Sequence, residues 1–310
     1  MADETLLTFN EVRKNKIKSV LLVLILAAII LLFSAAIGYF LGDVRQGLVV
    51  GAVVTAIVIP VQFITAKAAI LAMTKGKKAD RNNPEELRAI NTVEGLAISA
   101  GLSRVPDVYI VPSDVPNAFA SGMNEKTAFI GVTRGLLTMM DKQELEGVIA
   151  HEISHIVHRD IMLSQLAVAM VSIIVMLGYI LSRLGFYGRR SRSNNDSEGK
   201  AGAFMLIVTL FAILVYPFSQ LIANLIQLSI SRKREFAADA YAVRLCGYSG
   251  GLASALEKLS GQPYSKEAVD SLGGKQMQCL YINFPLKNAS SLFSTHPPIE
   301  ERIRRLRNMY

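Results

Sequence analysis

His151-Glu152-Ile153-Ser154-His155 places two imidazoles and a carboxylate within five residues. Histidines four apart lie on one face of an α-helix, about 6 Å apart along its axis. From there both rings reach a single Zn2+ at roughly 2.0–2.1 Å. Glu152 carries a carboxylate beside that metal, where it can take a proton from a metal-activated water. This is the apparatus of a zinc-dependent peptidase. The competing reading is a buried histidine pair satisfied by hydrogen bonds alone. Composition weighs against it: the chain holds only four histidines, and His151, His155 and His158 crowd together. The fourth, His296, sits in Ser294-Thr295-His296-Pro297-Pro298.

The flanking residues supply a helix to carry the motif. Asp141 is an N-cap with Glu144 at the third helical position, a capping-box spelling. Leu145, Val148, Ile149, Ile153 and Ile156 follow as an apolar stripe, so the helix is expected over about 142–158. Upstream, Asn83-Pro84-Glu85-Glu86 starts another helix that should run to about Ala100 and stop at Gly101. Between the two helices, Asp107–Val111, Ala118–Ser121 and Thr127–Val132 read as short strands, with a turn at Asn124-Glu125-Lys126. A small sheet therefore precedes the metal helix.

A catalytic zinc site takes three protein ligands and a water. His158 shares the helical face, but seven residues rise about 10.5 Å along the axis, too far for one ion. It reads as a surface or supporting group. Glu235, in Ser231-Arg232-Lys233-Arg234-Glu235-Phe236-Ala237-Ala238-Asp239, is the better candidate if a second helix faces the first. Asp239, one turn later, could accept a hydrogen bond from a ligand imidazole and orient it. A solvated Arg/Glu/Asp helix face is the other reading of this stretch.

The chain as a whole is too apolar for one ordinary soluble domain: 51% of its 310 residues are hydrophobic. Residues 19–42, 46–66, 161–182 and 201–230 carry no charge, which marks an integral membrane protein. The first run is longer than the ~7–15 apolar residues of a signal peptide. Arg13, Lys14, Lys16 and Lys18 precede it, and Lys75, Lys77, Lys78 and Arg81 follow the second run. Both ends of that hairpin should therefore be cytoplasmic. The loop at 183–200 is also basic, so the second pair of runs either spans against the charge bias or lies shallow. Gln220, Asn224 and Gln227 form a polar stripe on run four that argues for contact with protein or water. The expected segments are a hairpin at 1–74, a first catalytic part at 75–160, a second hairpin at 161–230 and a second catalytic part at 231–310. The net charge of +8 comes from membrane-flanking clusters and gives no reason to expect nucleic acid. Cys246 and Cys279 lack metal-ligand spacing and read as free thiols in a reducing compartment.

Across nearly its whole length the chain resembles the HtpX-type membrane-bound zinc metalloproteases, bacterial relatives of the CAAX prenyl endopeptidases. The resemblance rests on the N-terminal hairpin, Pro116-Asn117-Ala118-Phe119-Ala120 with Gly122, and Val148-Ile149-Ala150 leading into His151–His155. It continues through Ser231-Arg232, Arg234-Glu235-Phe236 and Ala238-Asp239 to Thr295-His296-Pro297-Pro298 and Glu301-Arg302-Ile303. It implies His151, His155 and Glu235 as ligands of one Zn2+ per subunit and Glu152 as catalytic base. It also implies a mainly α membrane protein with a gluzincin-like peptidase domain and two hydrophobic hairpins, giving two to four transmembrane helices. That domain would face the cytoplasm from a bacterial inner membrane and act in quality control of misfolded or unassembled membrane proteins.

The remaining site residues are expectations of position. His296, on a rigid Pro-Pro turn with Arg302 nearby in sequence, would stabilise the oxyanion, occupy a fourth metal position at rest, or merely order a loop. Asp239 and Arg302 would support the ligands from behind. Asn117, Ala118 and Phe119 would lie on an exposed edge strand that pairs with an extended, unfolded polypeptide; a core role for Phe119 is the alternative. Three rival functions are a prenyl-protein processing enzyme, a catalytically silent zinc scaffold and a transporter. Too few spans, an intact Glu152 and few mid-bilayer charges, respectively, count against them.

Overall fold

A computed structural model of the chain describes residues 2–162, 166, 232–260 and 297–309. Most of the uncharged runs 161–182 and 201–230, the loop 183–200, Cys279 and His296 lie outside the described residues. The chain forms two units: Ile17–Thr65 with Leu166–Leu225, and Met1–Lys16 with Ala66–Gln165 and Ile226–Tyr310.

In the first of these units the uncharged runs become two long helices, α1 (Ala2–Leu41) and α2 (Val44–Thr74), which continue past its ends. Asp43 closes the turn between them, its Oδ1 accepting the Arg45 and Gln46 N–H groups at 2.8 and 3.2 Å. Small residues let the helices touch: a Cβ on Gly47 would stand 2.3 Å from the Ser34 carbonyl and 2.8 Å from Gly38 Cα. Apolar side chains point outward along both helices, including Leu21, Leu24, Leu32, Ile57 and Ile64. Among the described residues, α2 is the one helix long and apolar enough to cross a membrane, with a shorter apolar stretch in α1 at Ile17–Leu32.

The other unit holds the sheet and the helix that carries His151 and His155. Helix α3 (Pro84–Ser99) starts as expected, with Asn83 Oδ1 accepting the Glu85 N–H at 3.0 Å. It stops at Ala100, where Gly101 turns left-handed at φ 70°. Strands β2 (Asp107–Val111) and β3 (Ala118–Ser121) have the expected limits. Strand β4 (Phe129–Thr133) begins two residues later than expected, because Thr127 belongs to the turn: its Oγ1 accepts the Met123 N–H at 3.1 Å. Lys77–Lys78 forms a short β1 that has no apolar alternation to announce it.

The sheet order is β1-β2-β4-β3, with β2 and β4 parallel and both outer pairs antiparallel. That leaves β3 on the edge, beside the helix that carries His151 and His155. Thr133 ends β4 and caps the short α4 (Arg134–Met139), accepting the Leu136 N–H at 3.2 Å. Helix α5 (Lys142–Val157) then packs against α3, β3, α6 (Arg232–Cys246) and α7 (Gly250–Ser260). Gly147 allows backbone contact there, since a Cβ would stand 2.6 Å from Leu252 N. The C-terminal α8 (Ile299–Arg307) docks on α6 and α7, with Leu306 fully buried. The fold is mostly helical with a small mixed sheet.

Candidate metal centre

Helix α5 begins with the expected capping box: the Asp141 N–H donates to Glu144 Oε2 and the Glu144 N–H donates to Asp141 Oδ1, both at 2.9 Å. Glu144 is held from the far side by Ser254 Oγ at 3.0 Å and Lys258 Nζ at 2.6 Å, which locks α7 onto α5. One helical turn between His151 and His155 brings their Nε2 atoms to 3.2 Å. Helix α6 crosses this face and presents Glu235, whose oxygens stand 3.6 Å from His151 Nε2 and 3.8 Å from His155 Nε2. One donor atom from each of the three lies within 4.8 Å of the others.

Tetrahedral zinc holds its ligands about 3.4 Å apart, so two imidazole nitrogens and a carboxylate at these spacings fit such an ion. Charge argues the same way. Glu152, Glu235 and Asp239 are all buried here around the guanidinium of Arg302. Buried charge of one sign is costly unless balanced, and a dication would balance it. Burial and the Arg302 charge push the His151 imidazolium down, but hydrogen bonds to Asp239 and Glu235 outweigh both and raise it from 6.5 to about 9.

Both imidazoles are backed at Nδ1. Asp239 Oδ1 stands 3.0 Å from His151 Nδ1. Arg302, delivered from α8, grips Asp239 through Nε and Nη2 at 2.9 and 2.7 Å. Burial works against the Asp239 carboxylate, yet the Arg302 charge and the His151 hydrogen bond hold it at about 2. His155 has a matching partner that sequence reasoning missed: Asp160 Oδ2 lies 3.3 Å from its Nδ1, and Arg234 Nη1 lies 3.0 Å from Asp160 Oδ1. The available signal was weak, an acidic residue just beyond the expected helix end and an arginine beside Glu235.

His158 caps α5 and is not a ligand. Its Nδ1 lies 2.8 Å from the Ser154 carbonyl, and its ring meets Tyr241 edge-on at 5.3 Å. The Glu152 carboxylate accepts the Ala120 N–H from β3 at 2.7 Å, so the edge strand fixes the candidate base. The expectation of an exposed edge at Asn117, Ala118 and Phe119 is corrected, for all three are fully buried. Phe119 packs edge-on against Phe129 at 6.2 Å, the Ala118 N–H donates to Asn117 Oδ1 at 3.0 Å, and Ala120 is tied to Glu152. Helix α5 lies against β3 and removes it from water. His296 lies outside the described residues.

A histidine pair and a base on one helix, closed by a carboxylate from a facing helix, define a metallopeptidase. Residues 83–310 match Peptidase family M48, and the chain belongs to that family. A "Protease HtpX homolog" of Listeria monocytogenes serotype 4a is 39% identical over 97% of this chain and 99% of its own. One from Streptococcus uberis is 38% identical with the same coverage of both chains. Another, from Dictyoglomus thermophilum, is 45% identical over 71% of this chain and 68% of its own. A crystal structure of S. mikatae Ste24p covers 94% of this chain and 66% of its own at 20% identity, with a TM-score of 0.46. The protein is a metalloprotease with an apolar helix of membrane-crossing length.

Proposed function

We propose that the protein is a membrane-integrated zinc endopeptidase that hydrolyses peptide bonds of misfolded or unassembled membrane proteins. The observation that carries the reading is the convergence of His151, His155 and Glu235 with Glu152 alongside. Two imidazoles and one carboxylate are the donor set of a catalytic zinc with an open position. When bound, zinc supplies Lewis acidity, polarising a carbonyl and lowering the pKa of water toward ~7.

The chain's own groups do the rest. Asp239 and Arg302 fix the His151 ring so that Nε2 faces the site. Glu152, held at Ala120 N–H, takes the proton of the attacking water and returns it to the leaving amine. His296 serves as a further donor to the oxyanion; activity of His296→Ala within a few-fold of wild type would end that role.

The peptidase domain combines 75–160 and 231–310, is gluzincin-like and faces the cytoplasm of a bacterial cell. Hydrophobic hairpins at 1–74 and 161–230 anchor it with two to four membrane-spanning helices. The outward apolar faces of α1 and α2 and the flanking lysines support this arrangement.

The test compares purified, detergent-solubilised protein with Glu152→Gln, each given zinc and an unfolded membrane protein, with a chelator control. Cleavage by the wild type alone, stopped by chelation, is the expected result. Equal zinc binding with no cleavage by either form would favour a silent scaffold.

A further inference from the structure

The two metal-facing imidazoles are supported by two separate carboxylate–arginine pairs. The pair behind His155 is built by the end of helix α5. His158 caps the helix, Arg159 turns left-handed at φ 57°, and the chain folds back. The Arg159 N–H donates to the Ile156 carbonyl at 3.1 Å and the Asp160 N–H donates to the His155 carbonyl at 3.0 Å. This 5→2 and 6→1 pattern is a Schellman turn, usually made with glycine at the left-handed position. Here an arginine takes the conformation and bears its steric cost.

The turn returns Asp160 to the turn of helix that carries His155. Its Oδ2 stands 3.3 Å from Nδ1, leaving Nε2 as the nitrogen on the Glu235 side. Asp160 Oδ1 is 3.0 Å from Arg234 Nη1, and both side chains are nearly buried, at 11% and 10% exposure. Arg234 immediately precedes Glu235, so α6 delivers a candidate ligand, the partner of one imidazole and the clamp on the partner of the other. The His155 ring is also the more solvent-accessible of the two, at 16% against 0% for His151. Packing restrains it less, which leaves more of its orientation to Asp160.

We propose that Asp160 and Arg234 are positioning residues for His155. Asp160 holds the tautomer and ring angle that present Nε2, and Arg234 fixes the Asp160 carboxylate while tying the end of α5 to the start of α6. The inference rests on the proposed ligand set of His151, His155 and Glu235. A carboxylate behind a ligand imidazole typically contributes 10–100-fold in metal affinity, and the same is expected here.

The experiment is zinc competition against a chromogenic chelator, using the full-length protein in detergent, with Asp160→Asn, Asp160→Ala, Arg234→Ala and His155→Ala. Metal-free melting temperatures and the visible spectra of cobalt-substituted forms are recorded alongside. Asp160→Ala should weaken zinc binding about 10–100-fold. Asp160→Asn, which keeps an oxygen acceptor without the charge, should weaken it less, and both should shift the cobalt bands. If Asp160→Ala does not fold, Asp160→Asn, which preserves shape, carries the test. Zinc affinity within two-fold of wild type and an unshifted cobalt spectrum in the folded Asp160 variants would overturn the positioning role. The ligand set would still stand provided His155→Ala loses zinc. Wild-type affinity in His155→Ala would instead overturn the ligand set itself, and the positioning role with it.

Discussion

Arg302 and Asp239 meet through two hydrogen bonds of 2.9 and 2.7 Å, both side chains shut away from water, although they lie 63 positions apart in the chain. The pair fastens the C-terminal helix α8 to α6 directly behind His151. Replacing Arg302 by methionine would leave a buried carboxylate without its cation, a change that costs about 3–5 kcal/mol. Denaturant unfolding of metal-free Arg302→Met should show that loss, and Asp239→Asn in the same chain should recover part of it.

Zinc should raise the melting temperature of the wild type. At a free concentration of about 100 times Kd the gain is about 2.7 kcal/mol. Glu235→Gln, which lacks the one charged donor of the three, should lose most of the shift, whereas Glu152→Gln should keep it. Differential scanning fluorimetry with zinc and with chelator separates the two. A full shift in Glu235→Gln would remove Glu235 from the ligand set.

Gly131 on β4 lies under the ring of Phe119, and an added Cβ would stand 2.3 Å from two ring carbons. Overpacking of this kind costs about 1–3 kcal/mol. Gly131→Ala should therefore lower the unfolding midpoint, and Phe119→Leu in the same chain should reverse part of the loss. Additive losses would mean that the two side chains do not meet.

Arg159 takes a left-handed backbone at φ 57°. Glycine there should stabilise the protein by up to about 1 kcal/mol, because it lacks the Cβ that strains the turn. Thermal melting of Arg159→Gly checks the sign. An unchanged or lower midpoint would show that the arginine side chain offsets the strain.

Burial, reinforced by the Glu146 charge, pushes the Cys246 thiol up from 9.0 to about 12. At pH 8 its thiolate fraction should then be on the order of 10³-fold below that of an ordinary cysteine. Alkylation of the Cys246 peptide, followed by mass spectrometry, should be correspondingly slow until the protein unfolds. The folded thiol keeps its proton where the unfolded one has lost it, so Cys246 contributes a stability that declines as pH rises from about 9 toward 12.

Much of the local structure was legible because it is written in short-range chemistry. The Asp141/Glu144 box, Asn83-Pro84 and Gly101 marked helix ends, and Asp107–Val111 and Ala118–Ser121 marked strands, since caps and β patterns involve neighbours. The His151/His155 pair followed from helix pitch alone. Lys77–Lys78 was not legible, because a two-residue strand borrows its structure from Tyr109 and Ile110 across the sheet.

Short-range chemistry thus specifies a helix that carries two imidazoles and the Glu152 carboxylate, together with apolar runs of membrane-crossing length. Long-range packing sets three further features. It brought Glu235 to within 3.6 Å of His151, although the two lie 84 positions apart in the sequence. It buried the β3 edge under α5, so that the Ala120 N–H meets Glu152. It also supplied each imidazole with its own carboxylate and arginine, Asp239 with Arg302 and Asp160 with Arg234. The physical reason is range. Caps and helical faces are set by residues within a turn of one another, whereas the convergence of charges on a buried site is set by how α5, α6 and α8 pack together.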